Sequence, residues 1–204
     1  MESSLPIREP KQKRSIEKKN RIIKAGFALF CEKGYYATNT TEIADKAGVS
    51  TGTIYSYFKD KKDIYVAAFE NFLNEHMQPL IEDLANTPKP IDVRRFIEKC
   101  IEMFKSFYTN AKQPIRELGS TQEANPEIMQ HFAVYEDMLL SAFVKALDSP
   151  NIKQKNLSEK VYLLYSISEL VGQEYAFGYH KSLNLEMLHE EATNMLTSLL
   201  MIDT

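Results

Sequence analysis

Thr51, Gly52, Thr53, Tyr55, Tyr57 and Lys61 crowd one short stretch of this chain. Hydroxyls, phenols, an ammonium and a glycine that leaves backbone N–H groups accessible are groups for holding an anion or the edge of a base. Nothing beside them forms a nucleophile elbow, a phosphate loop or a dinucleotide motif, and neither does the rest of the chain. Each also has a plainer use: the Tyr55 and Tyr57 rings could pack on a neighbouring helix, and Lys61 could be a solvated charge. Lys59 and Lys62 are weaker candidates for the same chemistry.

The elements that must position these groups are short helices. Asn39 followed by Glu42 is a capping box, which starts a helix that Gly48 closes after about two turns. Ser50 can cap the next helix, TGTIYSYF, and Asp60 with Asp63 can cap a fourth. Ahead of them a first helix spans about 15–33, with Ile22, Ile23, Phe27, Leu29 and Phe30 in or near its buried stripe and Gly34 as its stop. Two short helices joined by A-G-V-S form the pattern of a helix-turn-helix. Ala47, Val49 and Ile54 pack the pair, Phe58 joins the core, and Thr51, Gly52 and Thr53 fall in the first turn of the second helix. A helix of about seven residues, roughly 10 Å at about 1.5 Å per residue, fits a major groove about 12 Å wide.

At the level of RIIKAGFALFCEKGYYATNTTEIADKAGVSTGTIYSYFKDKKDIY the chain resembles the DNA-binding region of the tetracycline-repressor (TetR) family of bacterial transcriptional regulators. Carried over residue by residue, the resemblance implies a DNA-facing set of Thr40, Thr41, Thr51, Gly52, Thr53, Tyr55, Tyr57 and Lys61, with Ser50 at the cap. Thr41 stands where many relatives carry a long basic residue, and the third helix has no Arg, Asn or Gln for bidentate base reading. Readout is therefore expected from threonine and tyrosine contacts and from DNA shape. The basic run Lys11, Lys13, Arg14, Lys18 and Lys19 either lies on the DNA backbone or minor groove or is a solubilising tail.

Charge divides the same way. Residues 1–62 carry 13 Lys and Arg against 7 Asp and Glu, whereas residues 63–204 carry 12 against 21. A basic head on an acidic body directs only the head toward a polyanion. The domain expectation is accordingly 1–60 for the arm and helix-turn-helix and 61–204 for an effector-binding and dimerisation domain. The fold expected is all-α with about nine helices: a fourth to about Leu84 kinked at Pro79, then 92–109, 114–122, 126–147, 157–181 and 185–202. Their starts are signalled by Asp92, Pro114, Asn125-Pro126, Asn156 with Glu159, and Asn184.

The body has two candidate surfaces. Val161, Leu164, Ser168, Val171, Gly172 and Tyr175, with Leu188, Ala192, Met195 and Leu199, form helical stripes suited to a four-helix homodimer interface or to burial within one subunit. Phe96, Cys100, Met103, Phe104, Phe107, Met129, Phe132, Tyr135 and Met138 either fill a core or line an adaptable apolar cavity. Tyr165 and Glu169 are candidate polar contacts there, as are His131 and Glu174. The resemblance implies a homodimer that reads a near-palindromic double-stranded operator, and a small apolar or aromatic effector that releases it, with the fourth helix as the lever. An alternative is an architectural or protein-partner-controlled DNA-binding protein without an effector. An α-helical enzyme using His131 and Glu169 is the third reading, and no motif supports it.

No cofactor or metal is called for: Cys31 and Cys100 lie in apolar helical patterns, and the histidines lack a ligand set. No apolar run nears the roughly 20 residues of a membrane span, and the first residues lack a secretory core. A cytoplasmic protein with no membrane partner is expected.

Overall fold

The computed structural model describes residues 13–152 and 155–201, so Lys11 of the basic run and position 202 of the predicted last helix lie outside the described residues. The described residues form nine α-helices: α1 (Lys13–Lys33), α2 (Thr40–Ala47), α3 (Thr51–Ile54), α4 (Lys61–Ala85), α5 (Val93–Asn110), α6 (Lys112–Ala124), α7 (Pro126–Ala146), α8 (Leu157–Phe177) and α9 (Leu185–Met201). They group into two compact units, one of the described residues up to 74 with 116–132, the other of 75–115 with the described residues from 133 onward; the boundaries fall inside α4, α6 and α7.

In the first unit Ile22, Phe30, Ile43, Ile54, Ile64, Tyr65 and Phe69 are fully buried. Tyr65 is the aromatic hub, with its ring centroid 5.0 Å from those of Phe30 and Tyr35 and 4.5 Å from that of Phe69. Such ring pairs add roughly 0.5–1.5 kcal/mol each beyond the area they bury. The core therefore fixes α1 against the first half of α4, and the short α2 and α3 are held on that frame.

The second unit is built on α5 packed against α8 and α9. Phe96, Ile97, Cys100, Ile101 and Phe104 of α5 meet Val161, Leu164 and Val171 of α8 and Leu196 and Leu200 of α9 in one apolar cluster. At Gly172 a Cβ would lie 2.9 Å from the carbonyl carbon of Phe104, so the helices approach to backbone contact. Asn151 accepts from the Ile91 N–H at 3.1 Å and donates to the Ile91 carbonyl at 2.6 Å, which ties the segments before α5 and before α8.

Two element expectations need correction. Asn156 does not cap α8 with its side chain; it takes a left-handed backbone, φ 54°, and makes no cap hydrogen bond. That helix also stops at Phe177 rather than at 181, because Gly178 turns left-handed and donates to the Glu174 carbonyl at 2.8 Å. α4, by contrast, runs on through Pro79 to Ala85.

Candidate nucleic-acid interface

Local chemistry builds the helix-turn-helix. The Asn39 side chain accepts from the Glu42 N–H at 3.0 Å and the Glu42 carboxylate accepts from the Asn39 N–H at 3.1 Å, closing the capping box. A hydrogen bond from Lys33 is the main cause that lowers the Glu42 carboxyl pKa, with the Asn39 N–H second. Gly48 is left-handed at φ 64°, a conformation that costs side-chain-bearing residues more, and it turns the chain from α2 into α3. Ser50 then accepts from the Thr53 N–H at 3.2 Å. A serine cap of this kind is worth about 1 kcal/mol.

α3 is one α-turn, not the eight-residue helix expected. After Ile54 the chain tightens, with Ser56 N–H donating to Thr53 O at 3.1 Å and Tyr57 N–H to Ile54 O at 2.9 Å. Burial of Ile54 and Phe58 pins this turn from beneath. Thr41, Ser50, Gly52 and Tyr55 are exposed and Thr40, Thr51 and Thr53 partly so. The Thr40 hydroxyl lies 3.4 Å from the Tyr55 phenol, and the Ser50 hydroxyl 2.9 Å from that of Thr53. These seven residues thus make a surface rich in rotatable hydroxyls, which donate or accept according to what they meet.

Two members of the anticipated set have structural partners inside the head. The Tyr57 hydroxyl is 2.8 Å from that of Ser15 on α1, which is the packing alternative for that ring. Lys61 differs from the expected phosphate ligand: its ammonium donates to the carbonyls of Tyr35 at 2.7 Å and Thr38 at 2.9 Å, and burial lowers its pKa. Those carbonyls close the loop between α1 and α2, so the charge serves the loop.

Glu117 on α6 carries a role that the sequence reading missed. Its buried carboxylate accepts from the Tyr35 N–H at 2.8 Å and from the Thr121 hydroxyl at 2.9 Å. No apolar stripe marks that side of the helix in the sequence, where Gln113, Ser120 and Thr121 are its neighbours, so the carboxylate gave no signal. On the partly buried Cys31, burial and then the charge of Glu117 raise the thiol pKa to about 12, so this sulfur stays protonated and unreactive.

Six of the eleven anticipated effector residues share one apolar cluster. Phe96, Cys100 and Phe104 are core, with Met103, Phe107 and Tyr165 packed beside them. Glu169 accepts from the Tyr108 hydroxyl. Tyr135 is half-buried and Met138 is 48% exposed. Met129, 54% exposed, and Phe132, buried, belong to the first unit. His131 pairs with Glu70 at 2.8 Å, and Glu174 with His180.

The anticipated dimer stripe requires a larger correction. Val161, Leu164, Ser168, Val171 and Gly172 are buried within the unit because α5 already covers that face of α8, and Ala192 of α9 is buried in the same apolar cluster. Tyr175, Leu188 and Leu199 are partly buried against the same core, and Met195 alone of the set is largely exposed. The outward apolar groups are instead Tyr162, Leu163 and Leu170 on α8 and Met187, Met195 and Met201 on α9.

Residues 22–68 match the family described as bacterial regulatory proteins, tetR family. The HTH-type transcriptional regulator HbdR of Aromatoleum sp. (strain CIB) is 40% identical over 76 residues, 37% of this chain and 33% of that protein, so the match spans about a third of the relative's length. A structure from Mesorhizobium loti MAFF303099, described as a TetR-family transcriptional regulator, has a TM-score of 0.69 at 19% identity, covering 93% of this chain and 98% of its own. The transcriptional regulator FadR from Bacillus subtilis, in complex with stearoyl-CoA, has a TM-score of 0.66 at 19% identity over 88% of this chain and 97% of that one.

Proposed function

We propose that this chain, whose residues 22–68 match the tetR family of bacterial regulatory proteins, is a homodimeric repressor released from a near-palindromic operator by a small apolar or aromatic effector. The observation that carries the DNA-reading part is the hydroxyl surface of Thr40, Thr41, Ser50, Thr51, Thr53 and Tyr55, held on a capped helix-turn-helix. Hydroxyls and a phenol read by short contacts and by shape, because none spans a base bidentately.

Dimerisation follows from the site chemistry: one α3 of a single turn reaches too few base pairs to define an operator, whereas two heads related by a two-fold axis read an inverted repeat. The outward residues Tyr162, Leu163, Leu170, Met187, Met195 and Met201 are the surface we assign to self-association. For the effector, the aromatic and thioether content of α5 supports an apolar ligand. The similarity to a FadR that holds stearoyl-CoA makes long-chain acyl thioesters the first class to test.

The decisive experiment is selection of bound duplexes from a random DNA pool at about 150 mM salt, where non-specific phosphate binding is already weakened. The expected result is an inverted repeat that is lost when Thr53→Ala and Tyr55→Ala are combined, and that long-chain acyl-CoA releases. Binding that only decays with salt, with no motif, would replace the repressor with an architectural DNA-binding protein.

A further inference from the structure

The first half of α1 carries a row of cations that the helix-turn-helix does not account for. Arg14, Lys18 and Arg21 are spaced at four and three residues, so they share one face of α1, and Lys24 continues it on the next turn. All four are exposed, and none has an ion-pair or hydrogen-bond partner among the described residues. Glu17 is the one carboxylate within this stretch of the helix.

Position gives the row a purpose. An Arg21 Nη1 lies 3.8 Å from where a Cβ on Gly48 would stand, so its guanidinium sits at the α2–α3 turn. The start of α1 is fixed beside the end of the third-helix segment by the Ser15–Tyr57 hydroxyl contact, and Lys19 sits 5.7 Å over the Phe58 ring. The row therefore flanks the hydroxyl surface within one unit. From Arg14 to Arg21 it extends roughly 10 Å along the helix. A DNA strand presents a phosphate about every 3.4 Å of axis, so two or three phosphates fall within its reach.

On the reading of the head as a DNA reader, we infer that Arg14, Lys18 and Arg21 form a phosphate clamp on the backbone beside the groove that α3 faces. With Lys61 bound to the loop carbonyls, none of the seven residues of the hydroxyl surface is a cation. The clamp supplies the sequence-independent share of affinity, and the hydroxyls supply the choice of sequence.

The test is the salt dependence of binding to the selected operator, for the intact protein and for Arg14→Gln, Lys18→Gln and Arg21→Gln combined. The slope of log K against log salt should become less steep by about 0.9 for each phosphate released, up to about 2.7 in all, with the selected motif unchanged. The double variant R14Q/K18Q leaves the group beside the turn in place and should lose about 1.8. Removing three exposed cations of the second unit, Lys112, Lys155 and Lys181, should leave the slope as it was. An unchanged slope in both α1 variants overturns the clamp, as does an altered motif. If the intact protein selects no motif, the regulatory reading itself fails, which is a separate result.

Discussion

The Lys61 ammonium lies 4.3 Å from the centroid of the Tyr35 ring and donates at 2.7 Å to the Tyr35 carbonyl, so one side chain is held by both the ring and the backbone of the other. This pairing, with the second bond to Thr38 O, makes Lys61 a clasp on the loop between α1 and α2. Replacing it with methionine should cost about 1–2 kcal/mol, the usual penalty for leaving partly buried carbonyls without a donor. Urea unfolding would measure that loss. A phosphate ligand would behave the other way, with stability unchanged and the salt slope of DNA binding reduced by about 0.9.

Glu117 holds the same loop from α6. Glu117→Ala removes the acceptor of a part-buried Tyr35 N–H and of the Thr121 hydroxyl and should destabilise by about 1–3 kcal/mol. Glu117→Gln keeps a carbonyl oxygen in place and should cost less than about 1 kcal/mol. Equal losses for the two variants, measured by chemical denaturation, would show that the hydrogen bonds are not what the residue contributes.

Two helical glycines should respond oppositely to alanine. At Gly172 the new methyl would meet Phe104 backbone at 2.9 Å, and backbone does not yield as a side chain does, so overpacking should cost about 1–3 kcal/mol. At Gly119, in α6, nothing lies within 4 Å of the new atom. Gly119→Ala should therefore stabilise by about 0.5–1 kcal/mol through helix propensity. Thermal midpoints of the two variants, moving in opposite directions, are the expected readout.

Self-association should depend on the outward face of α8. Leu163 and Leu170, 45% and 56% exposed in one chain, stand outside the apolar cluster that α8 forms with α5 and α9, and changing both to glutamate leaves that cluster in place. The variant should sediment as a monomer while its helical content stays that of the parent. Val161→Glu on the opposite, fully buried stripe should abolish folding instead.

Acid stability should report the end of α8. The Glu174 carboxyl is held below the ordinary value chiefly by its hydrogen bond with the His180 ring, and also by the His180 and Tyr179 N–H groups. Because the folded pKa is depressed, the unfolded chain binds more protons in the acid range. The contribution is then complete above the unfolded value, near 4.5, and is lost as pH falls through the folded one. The thermal midpoint of the native protein should thus fall more steeply than that of Glu174→Gln below about pH 4.5. Parallel curves for the two proteins would remove Glu174 from the acid transition.

Much of the head was legible in the sequence because its determinants are local. Asn39 with Glu42, Ser50 with Thr53, and Asp60 with Asp63 each act over three residues, and Gly48 needs only its own backbone. Helix number and approximate bounds followed from apolar periodicity; Thr51, Gly52, Thr53 and Tyr55 were singled out by type and spacing, whereas Thr40 and Thr41 came in only through the family resemblance.

What only the tertiary structure decided are the choices between faces and between distant partners. α8 carries two apolar stripes: one through Val161, Leu164 and Val171, the other through Tyr162, Leu163 and Leu170. Periodicity cannot say which one α5 covers, since that depends on the backbone approach at Gly172. Lys61 reaches carbonyls 26 and 23 residues away, and Glu117 an N–H 82 residues away. A charged side chain looks the same in sequence whether it faces solvent or a closed ring of dipoles; the energy that separates these fates resides in desolvation and in hydrogen-bond geometry, which exist only once the helices have packed.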